Sequence, residues 1–250
     1  EIVFRQNLIN TFNIKIEVYR YLGGIVMEEP LAKKAYFVLE EQFIKGYYMP
    51  NEKLSENQLC KQLNMSRTPI RQALSQFIEK GYITSVDKKG IFVKPISIKY
   101  ALDCRDVVMV LEKEMCSRLS TCYEAIRFDE LQQIIEQQKQ AQVTNDYYFY
   151  LHHHFEFRAT LFRYVNNSAL TNAYKYLVKD MIRIAMVIWR KTAEKQHYSL
   201  IEKDYRFLTC LHDKNFEKLA EICCDPYTFE IDALKSSMYK MFLADPDFVE

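Results

Sequence analysis

What this chain lacks narrows its role before any motif is considered. No apolar run is long enough for a membrane-spanning helix and no stretch reads as a secretory leader, so a cytoplasmic protein is expected. There is no glycine-rich phosphate loop, no Glu-x-x-His repeat and no nucleophile motif, so the chain is read as a non-enzyme. The seven cysteines (60, 104, 116, 122, 210, 223 and 224) form no CxxC pair and fall in helical-looking sequence, which points to reduced thiols rather than disulfides. Cys223 and Cys224 are neighbours and read either as redox-active or, more simply, as semi-buried small residues. Strong net charge is absent too: at +1 the chain is not basic throughout, and any affinity for nucleic acid has to come from a local patch.

Such a patch is present. In NMSRTPIRQALSQFIEKG, residues 64–81, Ile70, Leu74, Phe77 and Ile78 recur at helical spacing and predict one apolar face, while Arg67 and Arg71 share another. Ser66 is placed to cap this helix, and Pro69 falls in its first turn, where a missing amide hydrogen costs little. Upstream, Leu54, Leu59 and Leu63 pattern a shorter helix, with Ser55 and Gln58 at capping-box spacing and Asn64 at the break. Helix, tight turn and helix is a DNA-reading pattern, because the major groove is about one helix wide and side chains at the front of an inserted helix reach base edges. Two arginines alone could equally form an ordinary solvated face. Gly81 then ends the helix, and YITSVDKKGIFVKP supplies two short strands, Tyr82 to Val86 and Ile91 to Lys94, around a turn at Lys88, Lys89 and Gly90. That hairpin is a basic wing suited to phosphate contact, and Lys94 extends the patch.

On these residues the chain resembles the winged-helix module of the GntR family of bacterial regulators from Ala32 to about Lys94. One departure is Asn51, where the family usually has glycine, and asparagine tolerates the same left-handed backbone. The resemblance implies contacts to double-stranded DNA from Asn57, from Ser66, Arg67, Thr68 and Arg71, and from Lys88, Lys89 and Gly90.

The expected fold class is mainly α, a winged helix-turn-helix with a small β-hairpin wing followed by an all-α bundle of six or seven helices. The domains are placed at 1–26, 27–96 and 97–250. Residues 1–26 read as a loosely ordered extension, as sequence upstream of a start at Met27, or as an accessory element with a strand over Phe12 to Val18. Helices are expected at about 98–120, 128–143, 146–165, 168–191, 197–213, 215–223 and 227–243, with breaks at Asn166 and Asn167 and at Asp225 and Pro226.

This second half looks like the FCD-type effector domain of the FadR branch of the same family, anchored by Leu111, Glu112 and FRATLFRYVNNSAL at 157–170. Many relatives bind a divalent metal there through an aspartate, a histidine four residues later and two further histidines. The matching positions here are His154, Arg158, Asp204 and Pro226. A guanidinium is always charged and only donates, so Arg158 cannot coordinate a cation and no metal cofactor is expected at that site. Nor can His152, His153 and His154 converge on one ion, since successive helical residues point about 100° apart. Arg158 could instead hold an anionic effector such as a carboxylate, with His154 and Asp204 orienting or neutralising it. Alternatively Arg158 and Asp204 form a structural ion pair, or Arg158 faces water. The tyrosines from Tyr147 to Tyr205, Phe155, Phe157, Phe162 and Trp189 read mainly as core, with some available to line a cavity.

The chain is thus expected to be a homodimeric, DNA-binding transcription regulator controlled by a small effector. The rival reading is a dimeric DNA-binding protein whose helical half has lost ligand sensing.

Overall fold

The computed structural model describes residues 30–192 and 198–224. The expectations for residues 1–26, for a helix at 227–243 and for the Asp225 and Pro226 break lie outside these residues. The chain divides into two units, one of residues 30–43 and 48–95, the other of 44–47 and the described residues from 96 onward.

In the first unit α1 (Leu31–Ile44) precedes β1 (Lys53–Leu54), α2 (Glu56–Leu63), α3 (Arg67–Glu79), β2 (Ile83–Val86) and β3 (Gly90–Val93). α2 begins where Ser55 accepts from the Gln58 amide, and it stops at Asn64, whose left-handed backbone (φ 50°) turns the chain. The Met65 amide then donates to the Cys60 carbonyl, so the turn satisfies carbonyls that the helix end leaves open. α3 ends the same way: Gly81 at φ 78° lets its own amide reach Ile78 and that of Tyr82 reach Phe77.

The sheet is antiparallel in the order β1-β3-β2, with Lys53 opposite Phe92 and Val86 opposite Gly90. β1 was not foreseen, and Leu54, expected in the helix, belongs to it. The core joins Leu39 and Phe43 of α1, Ile70, Ala73, Leu74 and Phe77 of α3, and Ile83 and Val93 of the strands. The Phe43 and Phe77 rings stack with centroids 4.8 Å apart. Each large apolar side chain buried this way contributes about 1.5–3 kcal/mol. Ile78, expected on the apolar face, is 39% exposed, whereas Ala73, on the opposite edge of the stripe, is buried.

The second unit contains α4 (Ile98–Leu119), a 3-10 turn (Ser120–Ala125), α5 (Phe128–Val143), α6 (Tyr147–Val165), α7 (Ser168–Thr192), α8 (Leu200–His212) and α9 (Phe216–Cys224). Asp146 caps α6 by accepting from the Phe149 amide at 3.1 Å, and Asn166 (φ 55°) ends it. The core is assembled from Met115 and Leu119, Leu131 and Ile135, Phe157, Leu161 and Phe162, Phe207 and Leu211. Among the described residues no helix is long and apolar enough to cross a membrane.

Candidate nucleic-acid interface and a buried polar cluster

The front of α3 presents its polar residues outward because its other face is committed to the core through Ile70, Ala73, Leu74 and Phe77. Ser66, Arg67, Thr68 and Arg71 are all exposed, as is Asn57 at the start of α2. Ser66 occupies the capping position with an extended backbone, yet its side chain makes no capping hydrogen bond, a departure from the expected role that leaves the hydroxyl uncommitted to the helix end.

Both arginines lean on α2. Arg67 donates to Asn57 Oδ1 at 3.2 Å, and Arg71 Nε donates to Glu56 Oε2 at 2.9 Å. An ion pair this exposed, with the Arg71 side chain 63% accessible, is worth only about 0–1 kcal/mol, so exchanging Glu56 for a phosphate or base edge costs little. These contacts hold both guanidinium groups against the first turn of α2.

The wing tip is a three-residue loop of Asp87, Lys88 and Lys89, closed by the Lys89 amide donating to Val86. Lys88 and Lys89 are exposed. Gly90 opens β3 rather than sitting in the turn, at φ 114°, and Lys53 Cε stands 3.0 Å from where a Cβ would lie. Both facts explain the glycine within the fold itself. Asn51, at φ 64°, adopts the left-handed backbone expected for it.

A second set of polar residues lies inside the helical unit. His154, Arg158 and Asp204 have no solvent exposure. His154 Nδ1 donates to Asp204 Oδ2 at 2.7 Å, since a carboxylate only accepts, and Arg158 Nη2 donates to Asp204 Oδ1 at 3.1 Å. The guanidinium carbon sits 4.1 Å from the centre of the Phe207 ring. α6 supplies His154 and Arg158 one turn apart, and α8 supplies Asp204 from its buried face. These three positions, matched by resemblance, do meet, and Arg158 does not face water. They do not fit a resident metal: one is a permanent cation, and Asp204 already uses one oxygen on each partner. Pro226 lies outside the described residues.

Around them, buried Glu112 accepts from the Tyr174 hydroxyl at 3.2 Å. The Cys116 and Cys223 Sγ atoms are 3.4 Å apart, and the Cys223 thiol is pushed well above the usual range by its contact with Cys116 and by burial. The cysteines whose side chains are described are all free thiols. Gln138 is fully buried on α5 with both amide atoms lacking a hydrogen-bond partner, a feature missed in the sequence. Most of the aromatic stripe is core, as in the Phe162 and Tyr174 stack at 4.3 Å. Tyr205 instead donates outward to Glu136, and its phenol is pushed up to about 12 by partial burial and that carboxylate.

The histidine run splits. His154 faces inward, while His152 and His153 lie on the outer face of α6, both near Glu156. Reading the run among histidines alone overlooked the carboxylate four residues after the first and three after the second.

Two family models match this chain. Residues 31–93 match the family model for bacterial regulatory proteins of the gntR family, and residues 103–218 match the FCD domain. The Nta operon transcriptional regulator of Aminobacter aminovorans is 25% identical over 194 residues, covering 72% of this chain and 90% of that protein. The HTH-type transcriptional repressor RspR of Escherichia coli is 24% identical over 111 residues, covering 44% of this chain and 49% of that protein. Among solved structures, Escherichia coli McbR/YncC superposes with a TM-score of 0.70 at 20% identity, covering 84% of this chain and 99% of that one. A GntR transcriptional regulator from Rhodococcus sp. RHA1 gives 0.69 at 16% identity, covering 83% and 97%. At these identities the superpositions speak for the fold.

Proposed function

The chain belongs to the gntR family of bacterial regulatory proteins and carries an FCD domain, and on that premise we propose that it is a homodimeric regulator that reads an operator with α3 and the wing and answers to an anionic effector. It is a transcription regulator and not an enzyme. The observation carrying the DNA reading is the outward front of α3, where Arg67 and Arg71 are exposed and held only by weak surface contacts.

In this reading Arg67, Thr68 and Arg71 enter the major groove, Ser66 and Asn57 grip phosphate, and Lys88, Lys89 and the Gly90 backbone meet the backbone beside it. One winged helix offers few contacts. Two, joined through the helical domains, bind a roughly palindromic site far more tightly because the second engagement becomes intramolecular. The effector, a small carboxylate, docks beside Arg158 and shares its guanidinium with Asp204, and it favours a dimer in which the two heads no longer match the half-site spacing.

The experiment is selection of bound duplexes from a random pool, repeated with a panel of carboxylates while melting is monitored. A ligand present at a hundred times its dissociation constant stabilises by about 2.7 kcal/mol, and Arg158→Met should abolish that shift without altering operator choice. Asp204 taking both Arg158 and His154 favours a second reading, in which the cluster only braces the helices and the domain only dimerises. Under that reading no carboxylate raises the melting temperature.

A further inference from the structure

The outer face of α6 carries a group of donors that neither the reading head nor the buried cluster uses. Glu156 Oε2 lies 3.0 Å from His153 Nδ1 and 3.9 Å from His152 Nε2. One donor atom from each residue can be chosen so that all three lie within 4.8 Å of one another. All three side chains are partly exposed, whereas His154 Nδ1 next in sequence is committed to Asp204.

We propose that His152, His153 and Glu156 form a binding site for a divalent transition-metal ion of the zinc type, separate from the buried cluster. The helix brings this about: Glu156 stands four residues after His152 and three after His153, so its carboxylate lies alongside both rings. Two imidazoles and a carboxylate suit zinc, nickel or copper, whereas magnesium and calcium prefer all-oxygen shells. Donors about 2.0–2.2 Å from a tetrahedral ion stand roughly 3.3 Å from one another, so the present group needs to contract by up to about 1.5 Å. The ring of His152, with its side chain 44% accessible, and the Glu156 carboxylate, at 42%, have the freedom to do so. The ion would replace the proton that His153 Nδ1 now shares with Glu156.

Three protein donors leave a fourth position open to water or an anion. His152 and Glu156 also line a cleft of about 640 Å³ together with Glu130, Arg163, Lys175 and Lys179, so a metal here faces a space whose walls carry charges of both signs.

The full chain, stripped with chelator and dialysed, should be titrated with Zn²⁺ by calorimetry and with Co²⁺ by visible absorption. One ion per chain is expected, with a Co²⁺ spectrum of low coordination number. His153→Ala and Glu156→Gln should each weaken Zn²⁺ binding on the order of a hundredfold, while His212→Ala leaves it unchanged. Because these side chains are partly exposed, the melting temperature of each metal-free variant should match the parent, which separates loss of the site from loss of the fold. No saturable binding at micromolar Zn²⁺, or binding that survives both substitutions, overturns the proposal. So does binding lost in Asp204→Asn but retained in Glu156→Gln, which would move the ion to the buried cluster.

Discussion

The two units of this protein handle polarity in opposite ways. In the winged unit the groups assigned to DNA lie outside, and the core beneath them is apolar apart from Glu40 and Gln42, which the Tyr36 and Tyr48 hydroxyls satisfy at 2.6 and 2.7 Å. In the helical unit Glu112, Gln138, His154, Arg158 and Asp204 are all at most 1% exposed. A reading surface can therefore change without disturbing its scaffold, whereas a change in the buried cluster alters ligand chemistry and folding together. Burying charges is costly unless they are paired, and a buried ion pair is weak evidence for stability in its own right. That cost gives a physical reason to look for function in the cluster.

The contrast breaks most visibly at Asp204. Asp204→Ala removes the acceptor shared by Arg158 and His154 and should destabilise folding by about 3–5 kcal/mol in denaturant titration, while the double change Arg158→Met with Asp204→Leu should recover most of that loss. If the single substitution were harmless, the buried unit would be as tolerant as the head. In the winged unit, Ser55→Ala removes the cap of α2 and should cost about 1 kcal/mol, read by the same titration. By contrast, Arg67→Ala and Arg71→Ala should shift folding stability by no more than about 0.5 kcal/mol, since each touches only surface partners. Lys88→Ala or Lys89→Ala should leave melting unchanged and lower the slope of log affinity against log salt by about one each.

A small, pH-dependent effect is expected on the surface of the helical unit. Hydrogen bonds from Tyr164 and Arg163 hold the Glu130 carboxyl below the usual carboxylate range. Its folded form therefore gives up its proton more readily than the unfolded chain does. The resulting stability is present above the ordinary range and is lost as pH falls through the depressed value. Glu130→Gln should flatten the acid side of a stability profile by less than about 1 kcal/mol, because solvent screens a pair at this depth.

Much of the architecture was legible in the sequence because its signals are local. The 3.6-residue period marks α3 to α9, and Asn64, Gly81 and Asn166 end helices by adopting the left-handed backbone that their side chains permit. β1 was not legible: two residues carry no period, and Lys53 and Leu54 become a strand only through pairing with β3. Ile78 went astray because it lies at one edge of the apolar stripe, while the buried face of α3 extends toward Ala73 at the other. In the helical unit, resemblance placed His154, Arg158 and Asp204 at matching positions, but that Asp204 would bind both of the others depends on how α6 meets α8. The unsatisfied amide of Gln138 and the meeting of His152 and His153 at Glu156 depend on side-chain direction, which spacing alone does not supply.

Reading of base sequence is assigned to the front of α3. Its most direct test is the affinity of the full chain and of Arg71→Ala for a selected duplex and for a scrambled one, by fluorescence anisotropy at a single salt concentration. Arg71→Ala should lose about 1–3 kcal/mol on the selected duplex and clearly less on the scrambled one. Equal losses on both would contradict it.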